Sequence, residues 1–173
     1  ESYVVQLDAD TVTLDAISEV TFAVVQKNGF VLGEKLNQKI LTLNEASSNA
    51  MKSTSHHIQA LSEQTLADAG LNGSFYIRGC AGFTGFPPDN AMREKFFDFS
   101  LKMAAKTGQR WSEWGTEQVT SNFLVANATE TRILPYPKYS TPFRHEGVGA
   151  FQHFIGEIRF RNRSYEIASI QAI

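Results

Sequence analysis

The segment Gln6-Leu7-Asp8-Ala9-Asp10-Thr11 places two carboxylates two residues apart at the end of an apolar run. In an extended chain, residues i and i+2 project to the same side. Two acidic oxygens there suit a hard divalent cation such as Mg²⁺ or Mn²⁺, above all one that also holds phosphates. The same residues also read as a polar turn in which Asp10 caps a following helix. Far along the chain, His153-Phe154-Ile155-Gly156-Glu157-Ile158-Arg159 sets a histidine near a strand end and an arginine six residues on. Neutral imidazole is a common metal ligand, and guanidinium matches phosphate geometry. A buried histidine followed by a solvated Arg159-Arg161-Arg163 stripe accounts for the same pattern. His56, His57 and His145 lack such a context, and the first two read as surface residues of a polar helix.

Two further clusters lie between these ends. Gly79-Cys80-Ala81-Gly82-Phe83-Thr84-Gly85 follows a strand-like run. It reads as a glycine-rich turn whose small residues let a ligand approach the backbone, or as a plain tight turn or bulge. No Gly-Lys-Ser or Gly-Lys-Thr follows, which excludes a P-loop. Glu117 and Gln118 open a predicted helix, and Asn122 shares the face of Gln118 four residues on. Polar groups at a helix start can face a crevice at the top of a sheet; they can equally serve helix-start electrostatics and solvation.

The elements that would hold these groups alternate in type. Tyr3–Leu7 reads as a buried strand. Leu14, Ile17, Thr21, Val24 and Val25 recur at helical spacing, and Asn28-Gly29 stops that helix. Asn44–Ala69 contains no glycine or proline and reads as helix, ended by Gly70. Ser74–Ile77 is a predicted strand, Asn90–Lys106 a helix, Thr116–Asn127 a helix, and Thr131–Leu134 and Ala150–Ile155 strands. Such alternation argues an α/β fold rather than a sandwich or a bundle.

Composition narrows the classes. Of 173 residues, 42% are hydrophobic and 20% charged, so a core of ordinary size is expected. Sixteen basic residues against eighteen acidic give a net charge of −2, against a nucleic-acid binder working by bulk positive charge. The single cysteine, Cys80, excludes an intrachain disulfide and favours a reducing, cytoplasmic compartment, membrane-peripheral at most. No apolar run approaches the roughly 20 residues of a transmembrane helix. Both ends read as cut, so the chain is expected to be part of a longer protein.

Taken in order, the four clusters resemble the GT-A nucleotide-sugar glycosyltransferases, particularly the glycogenin-like and lipopolysaccharide galactosyltransferase-like group. The corresponding segments are Asp8-Ala9-Asp10, Cys80-Ala81-Gly82, Glu117-Gln118 with Asn122, and His153-x-x-Gly156-x-x-Arg159. The chain departs from the family in carrying Cys80 for Asn, Glu117 for Asp and Arg159 for Lys. The resemblance implies a GT-A-like mixed sheet flanked by helices, with 1–173 as one domain that forms the C-terminal portion of a longer catalytic unit. It implies Asp8, Asp10 and His153 as ligands of Mn²⁺ or Mg²⁺. It also implies a donor site at Gly79, Cys80, Ala81, Gly82, Asn122, Gly156 and Arg159, with Gln118 and Glu117 as the catalytic pair. The implied partners are a nucleotide-sugar donor and a saccharide or other hydroxyl acceptor. A non-catalytic GT-A-like domain that binds sugar or a partner, and a metal-dependent nucleotidyltransferase, are the competing classes.

Overall fold

The computed structural model describes residues 2–142 and 149–172; His145 lies outside them. The described residues form a mixed α/β fold. Its main sheet joins β1 (Val4–Leu7), β6 (Cys80–Phe86), β3 (Gly29–Leu32) and β7 (Thr131–Leu134), in the order β1-β6-β3-β7. Strand β6 runs antiparallel to both neighbours, whereas β3 and β7 run parallel. A second sheet has the order β2 (Thr11–Thr13), β9 (Phe151–His153), β8 (Tyr139–Ser140), and β4 (Leu41–Thr42) pairs with β5 (Phe75–Tyr76).

Helices cover the main sheet on both faces, and β3 shows why. Its four residues are all buried, and successive side chains point to opposite faces. Phe30 and Leu32 join Val20 and Ala23 of α1 (Ser18–Gln26), together with Tyr139 and Phe151 of the second sheet. Val31 points the other way, onto Val125 and Ala126 of α5 (Thr116–Ala126). Val119 and Phe123 of α5 pack against Phe99 and Met103 of α4 (Met92–Thr107) and Leu43 and Ala46 of α2 (Leu43–Ala50). Helix α3 (Ile58–Thr65) packs beside α2, and α6 (Ser164–Gln171) seals Val12 and Phe154 with Ala168.

Several expectations are corrected. The glycine-rich stretch is not a turn: Cys80–Phe86 is a buried strand inside the main sheet. Glycine there serves close approach, since a Cβ on Gly85 would stand 2.2 Å from the Phe30 ring. Strand β1 lies at the sheet edge, and Val4, Val5 and Leu7 are exposed rather than buried. The expected helix 44–69 is two helices broken over 51–57, each with its own cap. Thr42 forms a reciprocal capping box with Glu45, and His57 Nδ1 accepts from the Gln59 N–H at 3.2 Å. Helix α1 stops at Lys27, whose left-handed conformation ends it, and Gly29 opens a strand that the sequence reading missed. The last strand closes at His153, followed by a run of 3₁₀ turns at Gly156–Arg163 and then α6.

Phe30 has no exposed surface, and its ring centroid lies 5.0 Å from that of Phe83 in an edge contact. Removing the ring leaves a cavity against rigid strands. Phe30→Ala is therefore expected to cost about 3–5 kcal/mol, read as a lower urea midpoint at unchanged slope.

Candidate functional site

The two aspartates flank the turn that carries the chain out of the main sheet and into the second one. Asp8 donates its backbone N–H to Gly82 O of β6 at 3.0 Å, and Asp10 O accepts from Phe154 N at 2.9 Å, just past β9. These backbone bonds bring residue 153 to residues 8 and 10. His153 Nε2 lies 3.3 Å from Asp8 Oδ2 and 3.1 Å from Asp10 Oδ1. Candidate ligand atoms of the three residues all fall within 4.8 Å of one another. Exposure is graded across them, with side chains 47% accessible at Asp8, 16% at Asp10 and 3% at His153. The cluster thus has a buried nitrogen at its base and an open carboxylate at its mouth.

The imidazole is fixed from behind. Cys80 Sγ sits 3.1 Å from Nδ1, the ring nitrogen facing away from the aspartates. A partner on the second nitrogen orients a ligating histidine. A Cβ on Gly82 would stand 2.2 Å from His153 Cε1 and 2.4 Å from Nδ1. The ring therefore occupies the space a side chain would need, and glycine is the one residue that fits. Arg159 completes the group: its Nη2 donates to Asp10 Oδ2 at 2.7 Å and its Nε to the carbonyl of Gly156 at 3.0 Å. Gly156 turns the chain at φ +58°, a left-handed conformation that favours glycine.

The remaining expected site residues divide. Cys80, Glu117 and Gln118 line one small cavity of about 170 Å³, with His57, Gln59 and Trp114 also on its walls. Through Cys80 this cavity adjoins the His153 cluster. Glu117 Oε2 accepts from the Gly115 N–H at 2.8 Å, a helix-start contact. Gln118 Nε2 donates to Gln59 Oε1 at 2.8 Å. Asn122 is not on that wall. It is fully buried, donates to Gly79 O at 3.0 Å, and so ties α5 to the residue before β6. Ala81 is buried within β6.

A second polar centre escaped the sequence reading. Glu63 of α3 is 2% exposed. Its Oε1 accepts from Tyr76 OH at 3.0 Å and from Gln59 Nε2 at 3.2 Å, and its Oε2 from Arg78 Nη1 at 2.6 Å. Burial pushes the carboxyl up to about 7, outweighing the guanidinium and the phenol. Burial also holds the Tyr76 phenol well above its ordinary range. The available signal was the four-residue spacing of Gln59 and Glu63 together with Tyr76-x-Arg78. In sequence such a glutamate looks like any solvated helix residue.

Two outcomes follow. Gly82→Ala is expected to destabilise the fold by about 1–3 kcal/mol through overpacking on His153, and to cost much less in a His153→Ala background. A double-mutant cycle by urea unfolding checks the coupling; additive costs would refute the contact. Glu63, raised in the folded chain, keeps its proton where the unfolded chain has lost it. Its contribution to stability is therefore full below about pH 4.5 and is lost as pH rises through about 7. Across that window the wild type is expected to lose stability more steeply than Glu63→Gln, measured by denaturant midpoints at each pH. Comparisons with protein families, curated proteins and solved structures find no match to this chain.

Proposed function

We propose that this chain carries the metal and leaving-group end of a glycosyltransferase site that moves a sugar from a nucleoside-diphosphate donor to an acceptor hydroxyl. The observation that carries the reading is the convergence of Asp8, Asp10 and His153, with Arg159 against Asp10. The donor set fits Mn²⁺ or Mg²⁺: two carboxylates and one imidazole, the latter oriented through its other nitrogen. A divalent ion held by these three would offset the charge of the departing diphosphate.

The chain's own residues supply the rest. Arg159 uses two of its five N–H groups on Asp10 and Gly156, leaving donors for a phosphate oxygen. The amide of Gln118 gives its N–H to Gln59, so its carbonyl oxygen is the end left for a ligand in the small cavity. Such an oxygen suits the positive charge that develops on a sugar carbon during transfer. Glu117 has one oxygen committed to Gly115 and acts mainly in placing that helix start. Among the described residues, no helix is long and apolar enough to cross a membrane.

A second reading, a non-catalytic binding domain, draws on the same contacts. Both oxygens of Asp10 already have partners, in His153 and Arg159, so the cluster is also a satisfied polar joint. Titration of the chain with Mn²⁺, followed by assay of a panel of UDP- and GDP-sugars for transfer or hydrolysis, separates the two. We expect Asp10→Asn and His153→Ala each to weaken Mn²⁺ binding at least about tenfold. We expect Gln118→Ala to lower kcat about a hundredfold with little change in KM. Metal affinity unchanged in an Asp8→Asn/Asp10→Asn double variant would refute the proposal. Metal binding without turnover would favour the second reading.

A further inference from the structure

A cleft of about 580 Å³ shares Glu34 with the small cavity as a lining residue. Its volume is that of a typical small-ligand site. Glu63, Tyr76 and Arg78 lie on its inner wall, and Asn49 with polar residues of the 34–39 segment forms the rest of the polar lining. We propose that this cleft binds a neutral saccharide, the acceptor of the transfer proposed above. Its role in transfer rests on that reading; its ligand does not.

The alternation of charge on the inner wall argues for a neutral ligand, although the lining as a whole sets Lys35, Lys39 and Arg78 against Glu34 and Glu63. Arg78 lies 2.6 Å from Glu63 and 3.6 Å from Glu34, so the inner wall alternates sign over one side-chain length. An anion entering here would meet two carboxyl groups, and a cation would meet Arg78 together with Lys35 and Lys39 at the exposed edge. Hydroxyl groups, which both donate and accept, suit such a wall. The polar groups are also held in place, as recognition of a fixed hydroxyl pattern requires. Gln38 accepts from the Glu34 N–H at 2.7 Å through Oε1 and donates to the Arg78 carbonyl through Nε2. Glu63 is fixed by three donors, while the Arg78 side chain remains 43% accessible. Leu41, Ala46 and Ala50 add an apolar strip for the C–H face of a sugar ring.

Position links the cleft to the candidate site. Glu63 holds Gln59, and Gln59 holds Gln118. The wall of the cleft and the residue proposed beside the reacting carbon are therefore two hydrogen bonds apart.

The test is amide NMR titration of the chain with maltose, cellobiose and lactose. At least one is expected to saturate with a dissociation constant of about 0.1–10 mM, in the affinity range of a small ligand, and to shift resonances of Gln38, Asn49 and Arg78. Asn49→Ala, an exposed change on α2 that leaves the core untouched, should weaken binding about threefold or more; Arg78→Met should weaken it further. Asp10→Asn should leave it within about twofold. No shift of cleft resonances at about 10 mM of any of the three sugars would overturn the inference, as would inorganic phosphate binding there in their place. Sugar binding in the cleft with no transfer would leave the inference standing and remove the transferase reading. Transfer with the sugar bound elsewhere would remove the cleft alone.

Discussion

The contact of the His153 imidazole with the bare backbone of Gly82 is the joint on which the site depends. Gly82 belongs to the main sheet and His153 to the second, and a Cβ between them would stand 2.2 Å from the ring. Closure at this point sets the depth at which β9 lies beside β6. It also fixes where the Asp8–Asp10 turn must cross, because that turn is bonded to Gly82 O of β6 on one side and to Phe154 N, just past β9, on the other. The aspartates and the histidine do not meet through their own attraction. They are delivered by backbone pairing, and the side-chain contacts then use what the pairing provides.

That origin explains what the sequence could and could not reveal. Asp8, Asp10, His153 and Arg159 were legible because their residue types and local spacing carry chemistry, and the structure does bring them together. Cys80, Glu117 and Gln118 were legible as neighbours of that chemistry, and they share one cavity. The glycine stretch was misread as a turn because glycine inside a buried strand is rare, and its reasons, the Phe30 and His153 rings, lie 55 and 71 residues away in sequence. Asn122 was placed on the right helix, but its polarity serves a buried backbone carbonyl at Gly79, a need that helical spacing does not disclose. Glu63 was invisible for a similar reason: α3 is polar on average, and only tertiary packing buries that one carboxyl.

Magnitudes separate the structural charges from the informative ones. The pairs Lys102–Asp98, Arg110–Glu113 and Arg163–Glu166 lie on the surface between sequence neighbours, where solvent screening leaves each little weight in stability. Glu63 differs in kind. A guanidinium at 2.6 Å and a phenol at 3.0 Å fail to bring its carboxyl back to the ordinary range, so desolvation wins over pairing. A buried carboxyl whose desolvation exceeds the attraction of a half-exposed guanidinium weakens the fold above the titration point.

The same reasoning bears on Cys80. In a neutral imidazole one nitrogen carries the proton and the other accepts. For the neutral ring, with two carboxylates at Nε2 and a thiol at Nδ1, one order of bonds without a cation runs from the Cys80 S–H to Nδ1, and from Nε2–H to Asp10 or Asp8. Ligation of a cation needs the Nε2 lone pair, so the proton must sit on Nδ1 and the sulfur must become the acceptor. The thiol can take either part, as a weak donor or a weak acceptor, at the same 3.1 Å separation. A side chain that could only donate would oppose ligation at Nε2, and one that could do neither would leave the buried Nδ1 without a partner in both states, at the full cost of desolvation. Cys80 is thus suited to this position by its two-way hydrogen bonding as well as by its size, and it both touches His153 and lines the cavity that holds Gln118.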